Sequence, residues 1–115
     1  MERLNNIKKY GVNAEIALAQ VFDNDIDNYL TCLNLYANDE QFILIDEYLN
    51  DQSYGLAMDA VRSLMYMAQD FGLAKLYILL EELNDDLVQE EYKNVIPQFQ
   101  VVKEEHQKFL KVLDD

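Results

Sequence analysis

Apolar residues in this chain recur at intervals of three and four, the spacing that lays side chains along one stripe of an α-helix, and nowhere alternate for long as a half-buried strand requires. The clearest stripe is Leu73, Leu76, Leu80, Leu83 and Leu87, with Glu81, Glu82, Asp85 and Asp86 turned away, and it predicts a helix over Leu73–Leu87. A second helix is predicted over Tyr54–Phe71, burying Ala57, Ala60, Val61, Leu64, Met67, Ala68 and Phe71 and ending at Gly72, which is placed to be a C′ residue. The last helix is predicted from about Glu90 to Leu113 through Tyr92, Ile96, Phe99, Val102, Phe109, Leu110 and Leu113, with Pro97 marking either a kink or its true start.

Upstream the pattern is less regular. A helix is predicted from about Asp25 to Leu49, with Ile26, Leu30, Leu33 and Ala37 on one stripe. Phe42, Ile45 and Leu49 follow slightly out of phase, after the polar run Asn38-Asp39-Glu40-Gln41, so a bend or short break is expected near Asp39. Gly11-Val12-Asn13 opens a short helix reaching about Val21, with Asn13 as its N-cap and Ile16, Ala17 and Ala19 on a face that must rest on something larger. Three Gly, one Pro and no linker or repeat leave a single domain over residues 1–115. The expected fold is all-α: an antiparallel up-down-up-down four-helix bundle with a short N-terminal lid helix.

The outward stripe of the Tyr54–Phe71 helix is Asp59, Arg62, Tyr66 and Gln69, flanked by Met58 and Met65 four residues before and three after Arg62. The run Ala60-Val61-Arg62-Ser63-Leu64-Met65-Tyr66-Met67-Ala68-Gln69-Asp70-Phe71-Gly72 resembles the signature helix of the bacterial histidine-phosphotransfer (HPt) family, an Ala-His-Ser/Thr-Leu-Lys-Gly run followed by a later Gly. The short opening helix, the acidic turn Asp23-Asn24-Asp25 and the segment Tyr29-Leu30-Thr31-Cys32-Leu33-Asn34-Leu35-Tyr36 are similar to the family's opening, so the likeness covers nearly the whole chain.

That resemblance implies a two-component phosphorelay domain that meets a response-regulator receiver, whose active site is a cluster of carboxylates binding a divalent metal, or a sensor kinase. In place of the family's phosphoacceptor His, Lys and Gly, however, stand Arg62, Met65 and Tyr66. An imidazole attacks the phosphoryl group through a free ring-nitrogen lone pair, whereas a guanidinium stays protonated and has none to offer. The resemblance therefore implies a pseudo-HPt domain that docks without carrying phosphate, with Arg62, Tyr66, Met65, Met58, Asp59 and Gln69 as binding residues and no catalytic residue.

No other residue is expected to supply the chemistry. His106 is the only histidine and falls on the stripe of Phe99, Val102, Leu110 and Leu113, which predicts a partly buried, hydrogen-bonded structural role. Asp23-x-Asp25-x-Asp27 opens like a calcium loop, but Asn28 stands at the sharp-turn Gly position and Asn34 at the bidentate Glu position. Di-iron chemistry needs inward Glu-x-x-His pairs, and Lys103 stands three residues before His106. No cofactor, metal or enzymatic activity is expected.

Twenty-two acidic against nine basic residues give a net charge of −13, which repels nucleic acid and anionic lipid. Cys32 is the only cysteine and lies in an apolar-periodic stretch, where a buried, unreactive thiol in a reducing cytoplasm is expected. Met1 to Tyr10 is polar and basic with no signal-peptide core, and no apolar run approaches the ~20 residues of a membrane span, so a soluble, unprocessed cytoplasmic monomer is expected. The alternative is a structural bundle that self-associates through Tyr29, Tyr36, Met58, Met65 and Tyr66.

Overall fold

The structure is a computed structural model that describes residues 2–10 and 12–114. Gly11, expected to open the first short helix, lies outside the described residues. Among the described residues there are seven α-helices and no strand: α1 (Glu2–Tyr10), α2 (Ala14–Gln20), α3 (Ile26–Ala37), α4 (Gln41–Asn50), α5 (Tyr54–Phe71), α6 (Ala74–Val88) and α7 (Val95–Asp114), with a 3-10 turn at Tyr92–Asn94 before the last. No helix in the described residues is long and apolar enough to cross a membrane.

The most extensive packing joins α5 to α6, α4 to α5, and α6 to α7, and α4 meets α7 as well. The helix α3 touches both α5 and α7, α2 rests on α5, and α1 lies along α7. Leu76, Leu80, Leu83 and Leu87 of α6 are all buried in one apolar cluster with Val61 and Leu64 of α5 and Val95, Phe99 and Val102 of α7. The strict three-four leucine spacing explains why α6 buries its stripe so cleanly.

The expected helix Asp25–Leu49 is two helices. Asp39 Oδ1 accepts the Gln41 N–H at 2.8 Å, and the Asn38 side-chain amide donates to Asn34 O at 2.9 Å. These short polar side chains offer the backbone partners other than the helix ladder, so the rod breaks at residues 38–40 and α4 restarts with a new phase. The break leaves the Ala37 carbonyl without its helical donor. His106 of α7 supplies one: its Nε2 lies 2.7 Å from Ala37 O, and its ring stacks on Phe42 with centroids 3.7 Å apart. The imidazole thus fastens both sides of the break to α7, the buried structural role expected for it, and burial pushes its pKa below the ordinary value against the opposing hydrogen bond to Ala37.

Several other expectations shift. The segment Glu2–Tyr10 is helical although only Leu4 and Ile7 mark a stripe; both are buried, and Tyr10 packs on Phe109 of α7. The last helix begins at Val95, so Pro97 falls in its first turn, where a missing N–H is tolerated. Ile96 and Ile16, both expected in the core, are instead exposed, and Ala19 is too, because α7 opens and α2 lies with those positions facing outward. Tyr92 is half-buried and stacks on Tyr54 at 3.8 Å, closing the end of the molecule where α5 begins and α6 ends. Met67, expected inside, is half-buried at the α5 margin, and Cys32 is half-buried with its thiol 3.5 Å from Asn28 Oδ1.

Candidate functional site

The helix α5 is eighteen residues long and ends in a complete left-handed cap. Gly72 adopts φ +76°, its N–H donates to Gln69 O at 3.1 Å, and the Leu73 N–H donates to Ala68 O at 2.9 Å. These two bonds satisfy carbonyls that the helix end would otherwise orphan. The Gly72 carbonyl also accepts the Asn13 N–H at 2.8 Å, so the cap carries the start of α2 against the end of α5. This crossing is close: a Cβ on Gly72 would lie 2.5 Å from Asn13 O.

Around the circumference of α5 the chain sorts itself by depth. Ala57, Ala60, Val61, Leu64, Ala68 and Phe71 are buried, while Asp59, Arg62, Ser63, Tyr66 and Gln69 are exposed. Two tyrosines of α3 fix this orientation from behind, Tyr29 donating to Phe71 O at 2.9 Å and Tyr36 to Leu64 O at 2.8 Å. Both hydroxyls are pushed well above the usual tyrosine range by burial, with Asp39 adding to the effect at Tyr36.

The exposed side chains of α5 lean to different neighbours. Arg62 reaches α6, its Nε donating to Asn84 Oδ1 at 3.1 Å. Ser63 reaches α4, where its Oγ accepts from the Gln41 amide at 3.4 Å. Tyr66 stands outward between them and is 58% exposed, which makes it the main apolar surface of the face. Among the described residues the ion pairs are Lys8–Glu15, Lys75–Glu105 and Lys103–Asp46; no carboxylate lies within 4.0 Å of Arg62.

Beyond Tyr66 the surface continues as two shallow grooves that share Asn13, Gln69 and Gly72. One, of about 350 Å³, runs to Tyr77 and Ile78 at the start of α6; the other, of about 340 Å³, runs to Ile16 of α2 and to Val21 just after it. Ile16, Val21 and Ile78 are exposed. Apolar side chains therefore gather on the same side as the outward stripe of α5.

Arg62, Tyr66, Asp59 and Gln69 stand on the surface, as the stripe requires. Met65 does not. It is only 5% exposed because it lies around the helix between Leu64 and Arg62, and it belongs to the core. Met58 is half-buried. Tyr29 and Tyr36, assigned to a self-association patch in the alternative reading, are 0% and 3% exposed and cannot form one.

Sequence reasoning missed Asn84, Gln41 and the α2 side of the groove. Asn84 was hidden inside the acidic run of α6, where its one signal is that it follows Leu80 by four residues and so flanks the core stripe instead of opposing it.

The imidazole does not reach the face. His106 is held between Ala37 and Phe42, and Asp25 caps α3 by accepting the Asn28 N–H at 3.0 Å. Among the described residues no three His, Cys, Asp or Glu side chains converge as metal ligands. What the arrangement offers chemically is a fixed cation beside an exposed aromatic ring, bordered by an apolar groove. Comparison with protein-family profiles, with curated proteins and with solved structures gives no significant match.

Proposed function

We propose that this chain is a pseudo-phosphotransfer domain of two-component signalling, which docks on a response-regulator receiver or its sensor kinase through the outer face of α5 and carries no phosphate. In this reading the rod of α3 and α4 with α5, α6 and α7 makes the family's four-helix bundle, and α2 is the lid beside the docking face. The observation that carries it is Arg62: a permanently charged, non-nucleophilic side chain stands exposed in the middle of α5, where the resemblance puts the phosphoacceptor, with Tyr66 one turn on. The grooves at Gly72 extend that face with exposed apolar area suited to a protein partner. Burial of Met65 narrows the expected contact set to Arg62, Tyr66, Asp59 and Gln69, with Met58 at the margin.

The test is phosphotransfer and binding together. Incubation with a phosphorylated receiver or an autophosphorylated kinase leaves no acid-labile label on the chain, and Arg62→His alone does not create one, because Tyr66 still stands where the donor must approach. Label on the wild type that vanishes in His106→Ala would overturn the assignment. Calorimetry against a panel of receivers finds a binder whose affinity falls with Tyr66→Ala and is unchanged by Glu82→Ala, since Glu82 is exposed on α6 away from this face and paired with Gln98. Equal affinities for wild type and Tyr66→Ala, or a dimeric mass in solution that buries the face, would favour a self-associating bundle instead.

A further inference from the structure

We infer that the groove between the α3–α4 break and α7 binds a primary ammonium group on a short apolar stem, received by the bare Nδ1 of His106 and the carboxylates beside it. The site is independent of the docking reading above. His106 is 8% exposed, and its Nε2 lies 2.7 Å from Ala37 O. A carbonyl can only accept, so Nε2 carries the ring proton and the neutral ring keeps a lone pair on Nδ1. Nδ1 forms no hydrogen bond with the described residues, yet it is not sealed from solvent. A nearly buried imidazole thus turns an unused acceptor toward the groove it lines, a space of about 320 Å³, and its stacking on Phe42 at 3.7 Å fixes the ring.

The other polar groups of the groove select a donor. Asn38 uses its amide nitrogen on Asn34 O at 2.9 Å, which leaves its side-chain oxygen without a partner among the described residues. Asp39 accepts the Gln41 N–H at 2.8 Å through one oxygen, but its other oxygen has only a long contact of 3.4 Å with the Gln41 amide. Asp46 gives one oxygen to Lys103 Nζ at 3.3 Å and keeps the other open. Lys103, the cation of the groove, is already engaged by Asp46 and by the Phe99 ring 5.6 Å away.

What stays open is a set of acceptors with negative charge in excess, on a chain whose net charge is −13. An ammonium group carries donors, no acceptor and the charge that this field attracts. An anion would instead face Asp39 and Asp46. The walls set the stem: exposed Ile43 and Leu110 line the groove, and its volume is at the small end for ligand sites, which suits a chain of a few carbons.

Titration of the full chain with n-butylammonium chloride at constant ionic strength, followed through the side-chain nitrogen resonances of His106, tests this. The Nδ1 resonance shifts saturably, and 1-butanol, the same stem without the charge, binds at least about tenfold more weakly, the scale of one hydrogen bond to a charged group. An unmoved Nδ1 resonance, or equal affinity for butanol, overturns the inference. Asp46→Asn supplies a variant that leaves the core untouched; it removes a carboxylate and releases the charge of Lys103, so affinity falls by about tenfold or more, and unchanged affinity also overturns the inference.

A pH series isolates the ring. Asp39 faces it from the break, Asp46 from α4 and Lys103 from α7, and carboxylate and ammonium groups ordinarily titrate outside the imidazole range. As the pH falls through the folded pKa of His106, which the same resonances report, Nδ1 takes a proton and becomes a cationic donor, and butylammonium is released. Affinity that stays level while the ring protonates overturns the inference. Nα-acetyl-lysine N-methylamide presents the same ammonium from a peptide: binding as tight as that of butylammonium supports a lysine of a partner chain as the source, and its exclusion supports a free amine.

Discussion

Replacing Gly72 with alanine separates two roles that one residue plays. The backbone there sits at φ +76°, a conformation that costs an L-residue roughly 1–2 kcal/mol. The added methyl would also lie 2.5 Å from Asn13 O and 2.8 Å from Asn13 C. Both obstacles are backbone atoms, so no rotamer change relieves them. Asn13 must move away, and its N–H then loses the Gly72 carbonyl now 2.8 Å distant, a bond worth about 0.5–1.5 kcal/mol. The sum is a loss of about 1.5–3.5 kcal/mol, large for one methyl group. Urea unfolding followed by circular dichroism measures it as a lower midpoint with unchanged slope.

Amide exchange adds a spatial signature, with protection lost first in α2, which the Asn13–Gly72 bond ties to α5. Gly55→Ala is the control. Gly55 lies in the first turn of α5 with nothing within 4 Å of where the added methyl would stand, so the same change there raises stability by up to about 1 kcal/mol through helix propensity. A loss under about 1 kcal/mol for Gly72→Ala, or equal effects at the two glycines, would refute the argument that backbone crowding fixes this crossing.

Other expected outcomes follow from burial. Met65→Ala lowers stability by about 2–4 kcal/mol in chemical denaturation, because the side chain is core and not surface; a change within ~0.5 kcal/mol would return Met65 to the exposed face of α5. Stability also depends on pH through His106. Its pKa is lowered in the folded chain by burial, so above the ordinary value of about 6.5 both states are neutral and it contributes no pH dependence. As pH falls through that value the unfolded chain takes up a proton that the folded chain refuses, and stability declines until the lower folded pKa is passed. Denaturation midpoints of wild type and His106→Phe between pH 8 and 5 check this; the difference in slope below about pH 6.5 should vanish in the variant.

How much of this was written in the chain depends on how strongly each segment was patterned. The leucine stripe of α6 and the apolar stripe of α5 were legible because each repeats for several turns, and Gly72 was legible as a cap because only glycine takes a left-handed conformation cheaply. The same periodicity set Arg62 and Tyr66 outward. Where the pattern was short or marginal, tertiary contacts decided. Leu4 and Ile7 are too few to announce α1, which exists because α7 offers it an apolar surface. Met65 lies at the edge of its stripe, and whether an edge position is core or surface depends on how close the neighbouring helices come; here it is buried. Asn84 could be recognised as the anchor of Arg62 only when α5 and α6 were side by side, because a residue 22 positions away carries no local signal of the contact. His106 shows both halves: its place on an apolar stripe foretold burial, but its partner, a carbonyl freed by a helix break 69 residues earlier, exists only in three dimensions.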